Sequence, residues 1–472
     1  MELFGSIGWM LWVTLLALFG GCASQVGPPD RAAQVEAMVQ GIPDQWPHST
    51  SSPARVTTTA STDPLPWWQS WAPKPLRQLI ETALRSNADL SQARAQWDKA
   101  RALRAQAASA LRPTLALTGS AQRGNTSGDR GDTGSAVTLG LGGSWDLDVW
   151  GGIAASVEAA QAEESATAWA LASQTQSVAA EVAVSYLQWL GVQDRLTVAR
   201  ANLKVQEDTA QIASWRLQAG LASDLDCELA QSAAAQTRAQ IPVLETAAAL
   251  LAQAMAVWVG HFSVDLEPQP WAALVPMNFS WDLPAAVLRR RPDIRSAEAQ
   301  LEAAAARVTQ TEAAALPPVA LRMSSIWSAH RLATLGQAAA VSDLVAQVSA
   351  TLWDGGGRRA AVDAQKASME IAAQTLRRQL LVAMQSIESA WSASTQAHTR
   401  WMAWSQAQAS AESAAGLAAE RYRGGVADFM AVLEAQRTVL NVQDAAVVAR
   451  ADWWVQQVRL AHALGGEWGR PL

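Results

Sequence analysis

The sequence predicts a mainly α-helical protein with a β-barrel part, built as a duplicated half-molecule. Three observations predict it. First, the chain of 472 residues repeats itself. The segment Leu79-Ile-Glu-Thr-Ala-Leu84-Arg85-Ser-Asn-Ala-Asp89-Leu90 returns, 204 positions on from Leu79, as Leu283-Pro-Ala-Ala-Val-Leu288-Arg289-Arg-Arg-Pro-Asp293-Ile294. The register continues through Gln96/Gln300, Pro113/Pro317 and Leu117/Leu321, and Arg216-Leu-Gln-Ala-Gly220 returns as Arg421-Tyr-Arg-Gly-Gly425. A unit this long exceeds the 20–50 residues of a solenoid repeat, so each half builds a similar half of one body. Second, Gly152 to Leu217 and Gly357 to Tyr422 are free of proline and rich in Ala, Gln, Glu and Leu. Third, four short segments alternate apolar and polar residues.

The N-terminus comes first. The run Ile7–Gly21 is apolar apart from glycines and Thr14. Its fifteen residues fall short of the about 20 needed for a helical span and fit the core of a secretory signal, residues 1–21. Small residues before the lone Cys22 look like a lipobox, in which Cys22 is acylated and becomes the mature N-terminus. No Lys or Arg precedes it, so an uncleaved anchor and a chance cysteine are the alternatives. Several acyl chains would hold the protein firmly to a lipid membrane. Residues 22–66 then read as a lipidated tether rich in Pro, Ser and Thr, on which no helix is imposed.

Next come the alternating segments. Strands are expected at about 113–122 and 136–149, and again at about 318–328 and 342–353. In the clearest, Val137, Leu139, Leu141, Trp145, Leu147 and Val149 alternate with Thr138, Ser144, Asp146 and Asp148. Period two puts one set on each face. About ten such residues match a tilted transmembrane strand; half-buried hairpins of a soluble domain are the other reading. Four strands cannot close a barrel, and an open edge cannot face lipid, so several chains would have to share one. Trp145, Trp150, Trp327 and Trp353 sit near the strand ends, where aromatic girdles occur. With 23 Trp against two Tyr and five Phe, that girdle would be Trp-based.

The proline-free stretches follow. Each spans 66 residues, roughly 100 Å of helix at about 1.5 Å per residue. Small side chains allow close packing in curved coiled-coil layers. Each ends at a glycine, Gly220 or Gly425, and a returning helix follows. The chain therefore divides into a first repeat, 67–265, a second repeat, 266–465, and a tail, 466–472.

Composition narrows the function. Net charge is −6 with both signs mixed, which offers nothing to nucleic acid. The two cysteines and five histidines are scattered without ligand spacing, so no metal or cofactor is expected. No nucleophile has a paired base, so an enzyme is not expected. Arg130-Gly-Asp132 lies in a glycine-rich loop and reads as chance.

The residues Trp67-Trp68, Asn87-X-Asp89-Leu90, Leu111-Arg-Pro113, Trp145-Asp-Leu-Asp-Val-Trp150-Gly151, Arg290-Arg-Pro292-Asp293-Ile294, Leu352-Trp-Asp354-Gly355 and Arg421-Tyr422-X-X-Gly425 resemble the outer-membrane factor family, the TolC-like channels, in its lipoprotein branch of multidrug efflux. The resemblance covers about Trp67 to Gly465. It implies a homotrimer with a twelve-strand barrel in the outer membrane, a periplasmic α-barrel of long helical hairpins, and an iris at the hairpin turns. It implies a passive exit channel for drugs or other small molecules, working with a periplasmic adaptor protein and an inner-membrane pump. A channel for type I protein secretion is the nearest alternative, and a soluble periplasmic coiled-coil scaffold a more distant one. By motif position, the adaptor would meet Gly220, Leu221, Ser223, Gly425 and Val426. Tyr422, Asp226 and Arg421 fall at the gate, and Glu434 and Met430 at the pore constriction. The family's gate arginine is Ala427 here, and a second acidic ring is Ala431. Asp226 and Glu434 also read as ordinary solvated helix charges.

Overall fold

A computed structural model describes residues 67–125, 133–275, 277, 284–329, 335 and 339–466. The expected signal peptide, Cys22, the tether and Arg130-Gly-Asp132 lie outside the described residues, as does all of the tail beyond Gly466. The described chain forms two compact units. One is drawn from Ala100–Glu164 and Ala299–Gln374, the other from the described residues of 67–99, 165–298 and 375–466. Each takes segments from both sequence repeats.

The first unit holds an antiparallel sheet of four strands in the order β1-β2-β3-β4. These are β1 (Thr114–Asn125), β2 (Thr133–Leu147), β3 (Val319–Ala329) and β4 (Ala340–Val348). The register pairs Leu117 with Leu141, Trp145 with Leu321, and Met323 with Leu344. Alternation therefore gathers these residues on one face, and most of them stay exposed. The other face carries cross-strand polar pairs: Thr114–Ser144, Ser120–Thr138 and Ser324–Asp343. β1 and β2 run farther into their loop than expected, Asn125 pairing with Thr133. β4 stops short: the expected strand to 353 ends at Val348. Val348 pairs with Val319, and the next partner is Pro318, which has no N–H to donate to a ladder. Ala350 and Leu352 therefore alternate in sequence without joining the sheet. Trp145 and Trp150 donate their indole N–H groups to Leu111 O and Pro317 O, tying strand ends to the preceding chain.

The second unit is helical. It contains α1 (Trp67–Trp71), α2 (Lys74–Ser86), α5 (Asp224–Val259), α6 (Pro284–Arg290) and α9 (Phe429–Ala463), with parts of α3 (Ala88–Ser109), α4 (Gly152–Gln218), α7 (Pro292–Ala314) and α8 (Gly357–Arg423). α4 and α8 are 67 residues each, because neither contains a residue that breaks the hydrogen-bond ladder. Leu76, Ile80 and Ala83 repeat at helical spacing on α2 and pack into a core with Trp68, Trp71, Val182, Leu187, Trp454 and Val458.

The repeated Asn-X-Asp-Leu and Arg-Pro-Asp-Ile motifs build matching ties. Asn87 is 3% exposed. Its Oδ1 accepts from Leu90 N at 3.0 Å, and its Nδ2 donates to Trp258 O at 2.9 Å. In the second repeat Arg291 takes the place of Asn87 and donates to Ala463 O, the position matching Trp258. Each returning helix is thus held at its C-terminus by the start of its own repeat. Gly260, at φ 75°, brings the backbone so close that a Cβ would stand 2.3 Å from Ser86 O, so only glycine fits.

Candidate gate at the helical turns

The two hairpin turns lie in the second unit and share one backbone design. Just beyond α4 stands Gly220 (φ 72°), and just beyond α8 Gly425 (φ 73°). Leu221 N donates to Arg216 O at 2.8 Å and Val426 N to Arg421 O at 2.9 Å, closing a left-handed helix terminus that satisfies the orphan carbonyls.

The next helices begin differently. Ser223 caps α5: its Oγ accepts from Asp226 N at 3.2 Å, and the Asp226 carboxylate accepts from Ser223 N at 3.1 Å. This is a reciprocal capping box. α9 begins at Asp428, which makes no side-chain cap bond. Its partner position is Ala431, which has nothing to return. The second turn is held instead by Phe429, 3% exposed, packed on Ala213 of α4 and Ala230 of α5 with Tyr422 and Leu433 alongside. The Tyr422 ring lies 5.3 Å from Phe429, and the Arg216 guanidinium stands 4.4 Å over the Tyr422 ring, a cation–π contact.

The expected site residues fall as follows. Gly220, Leu221, Ser223, Gly425 and Val426 are all exposed at the turns, Leu221 by 69% and Val426 by 82%. Met430 and Glu434 are exposed one turn apart on α9, so they share a face. Arg421 is exposed and Tyr422 half-buried at the end of α8. Among the described residues of one chain, the carboxylate of Asp226 is engaged in its own helix cap and the ring of Tyr422 is engaged by Arg216. Reading the sequence missed Arg216 and Phe429. The signal for Arg216 was present, since it repeats as Arg421. Phe429 had none, because its counterpart is Asp224.

Comparison with known proteins places this arrangement. The outer membrane efflux protein family matches residues 79–261 and again residues 283–466. The two matches begin at Leu79 and Leu283, in register with the internal repeat.

The chain belongs to the outer membrane efflux protein family.

It is 30% identical over 469 residues to the pyoverdine export outer membrane protein OpmQ of Pseudomonas aeruginosa, covering 97% of this chain and 96% of that one. It is 29% identical over 416 residues to the toluene efflux pump outer membrane protein TtgF of Pseudomonas putida, covering 85% of each. The structure of the outer-membrane channel OprN superposes with a TM-score of 0.79 at 30% identity, over 90% of this chain and 99% of that one. As a family member the protein is an outer-membrane component, the exit channel of an efflux pump. Family members are transport components rather than enzymes.

Proposed function

We propose that three copies of this chain close a twelve-strand barrel and a helical duct that passes small organic molecules outward without reaction or cofactor. The open sheet supports this reading. Both β1 and β4 are edge strands, β4 is exposed along its whole length, and unpaired edges cannot face lipid. α5 supports it independently. Val243, Leu250 and Val257 form an exposed apolar stripe seven residues apart that no described residue of the chain covers. In this reading Cys22 is acylated and anchors the chain to the outer membrane, and the exposed turns at Gly220 and Gly425 receive a periplasmic adaptor, itself joined to an inner-membrane pump. The export named for OpmQ and TtgF supports a small-molecule cargo over a polypeptide one. In the assembled channel Tyr422 donates to the free oxygen of Asp226 across neighbouring hairpins, and Glu434 with Met430 narrows the pore.

Mass measurement of the detergent-extracted protein tests the assembly: three chains are expected, and a stable membrane-inserted monomer would overturn it. Lipid labelling lost in Cys22→Ser tests the anchor. Tyr422→Phe combined with Asp226→Ala should raise single-channel conductance, and Glu434→Gln should reduce cation preference. Wild-type behaviour in both would remove the gate assignment while leaving the fold intact.

A further inference from the structure

The second unit contains a cavity of about 380 Å³ that the duct reading does not use. Three helices line it, each with one face. α4 supplies Asp194, Thr197 and Val198, α8 supplies Trp401, Ser405 and Gln408, and α9 supplies Ala446, Val447 and Arg450. These spacings of three, four and seven residues place each set on a single stripe. The small residues among them leave the space that three larger side chains would fill.

Two features make this more than a packing gap. The first is a rigid aromatic wall. Trp401 stacks on Trp453 at 4.9 Å with the rings 15° apart. Trp453 in turn meets Trp454 at 4.9 Å, and Trp454 stacks on Trp71 at 6.3 Å. A flat indole backed by a fixed series of rings offers stacking area at low conformational cost. The second is a cation with donors to spare. Arg450 donates one Nη2 bond to Asp194, which also accepts from the Trp271 indole. The guanidinium lies 5.0 Å over the Trp271 ring, so its position is fixed. A guanidinium has five N–H donors, and among the described residues Arg450 gives a hydrogen bond only to Asp194; its Nε is shut off from solvent, so the Nη groups are what a ligand would meet. Its charge is already paired with Asp194, which lines the same cavity, so an incoming acceptor adds partners for the remaining N–H groups rather than neutralising a bare cation. Ser405 spends its hydroxyl on Trp401 O within its own helix, so it shapes the cavity without recognising anything.

We propose that this cavity is a binding site for planar aromatic carboxylates, with the ring system on Trp401 and the carboxylate on Arg450. The volume falls within the range of small-molecule sites, about 300–1,000 Å³. Bidentate carboxylate recognition suits a guanidinium held in place. None of its lining residues is among those assigned to the gate.

Calorimetric titration of the full-length protein in nanodiscs with 2-naphthoate tests it, with empty nanodiscs as the blank. Saturable binding is expected, at least tenfold tighter than for the cationic analogue 2-naphthylmethylammonium. Arg450→Gln should weaken 2-naphthoate binding at least tenfold. Ser405→Leu, which fills the cavity without touching the ion pair, should abolish binding while oligomer mass and helicity stay as in wild type. If Arg450→Gln does not assemble, Ser405→Leu and the charge preference decide. Three results would each overturn the assignment: no saturable binding to wild type, undiminished binding to Ser405→Leu, or binding of the cation as tightly as the acid.

Discussion

The turns at Gly220 and Gly425 follow one backbone and are held by different chemistry. Both close with a left-handed glycine and the same pair of backbone hydrogen bonds. At the first, Ser223 and Asp226 satisfy the orphan N–H groups of the next helix. At the second there is no such box, and Phe429 is pressed onto Ala213 and Ala230. The difference teaches how a duplicated frame diverges. Backbone geometry is retained because only glycine adopts φ near +70° without strain. The means of holding the following helix is free to change from local polar capping to long-range apolar packing. The helix start at the first turn is thus held from within its own four residues, and that at the second leans on neighbours on α4 and α5.

The largest expected effect comes from removing that packing. Phe429→Ala should destabilise the second turn by about 3 kcal/mol, since a buried ring leaves a cavity behind. Asp224→Ala, at the matching exposed position, should change stability by less than about 0.5 kcal/mol. Hydrogen exchange of amides 420–435 against 215–230 separates the two. Equal protection in Phe429→Ala and wild type would refute the contrast.

The second comparison is between the two ties. Arg291 sits between Asp293, bonded at 2.8 and 3.0 Å, and Ala463 O. Arg291→Met strips a half-buried carboxylate and a carbonyl of their partner, so a loss of about 3 kcal/mol is expected. Asn87→Ala loses one helix cap and one hydrogen bond, about 2 kcal/mol together. Thermal unfolding followed by circular dichroism ranks them, and the reverse order would show that the neutral tie carries more.

The same pair differs in its response to acid. Burial and the Arg291 charge lower the His462 pKa, with Asp293 opposing; its ring also faces Ser177 Oγ at 3.3 Å. A base with a depressed folded pKa stabilises the fold fully above its unfolded pKa, about 6.5. That contribution is lost as pH falls through the folded value. Asp293 acts lower. Burial raises its carboxyl, but the hydrogen bonds and charge of Arg291 outweigh this and hold it below the usual value, so its contribution is lost only as pH falls below about 3.9. The first tie has no counterpart, because Val257 occupies the position of His462. Between pH 7.5 and 5.5 the second tie should loosen and the first should not, by less than either deletion above. His462→Val should remove the pH dependence in hydrogen exchange near residue 463; persistence would place the titrating group elsewhere.

These contrasts mark what was legible in the sequence. The repeat, the long helices and the turn glycines could be read because each rests on local chemistry: proline absence, alternation, a left-handed residue. Strand ends could not, since the end of β4 is set by Pro318 on the facing strand. The turn residues were located, but their partners were not. Within one chain Asp226 bonds to Ser223 three residues away, a capping pattern visible in the sequence. Phe429 meets residues about 200 positions earlier, which no local pattern announces. The cavity was hidden for the same reason, being assembled from three helices.

The smallest expected effect is also the most direct test of the opening contrast. If the first turn is self-sufficient because of its capping box, the box should be transferable. Asp428 already occupies the cap position with extended backbone, φ −72° and ψ 150°, and Ala431 occupies the third helical position, where Asp226 stands in the first turn. Asp428→Ser with Ala431→Asp recreates both side chains in the same geometry. The transplanted hydroxyl would accept from residue 431 N, and the new carboxylate would accept from residue 428 N. A capping interaction contributes about 1 kcal/mol, and a carboxylate in the first turn also suits the helix dipole. Placed in Phe429→Ala, the pair should restore about 1 kcal/mol of the loss, seen as slower amide exchange at 428–432. Ser223→Ala should cost the first turn a similar amount. If the transplant restores nothing while Ser223→Ala is costly, the first turn owes its order to something other than its cap.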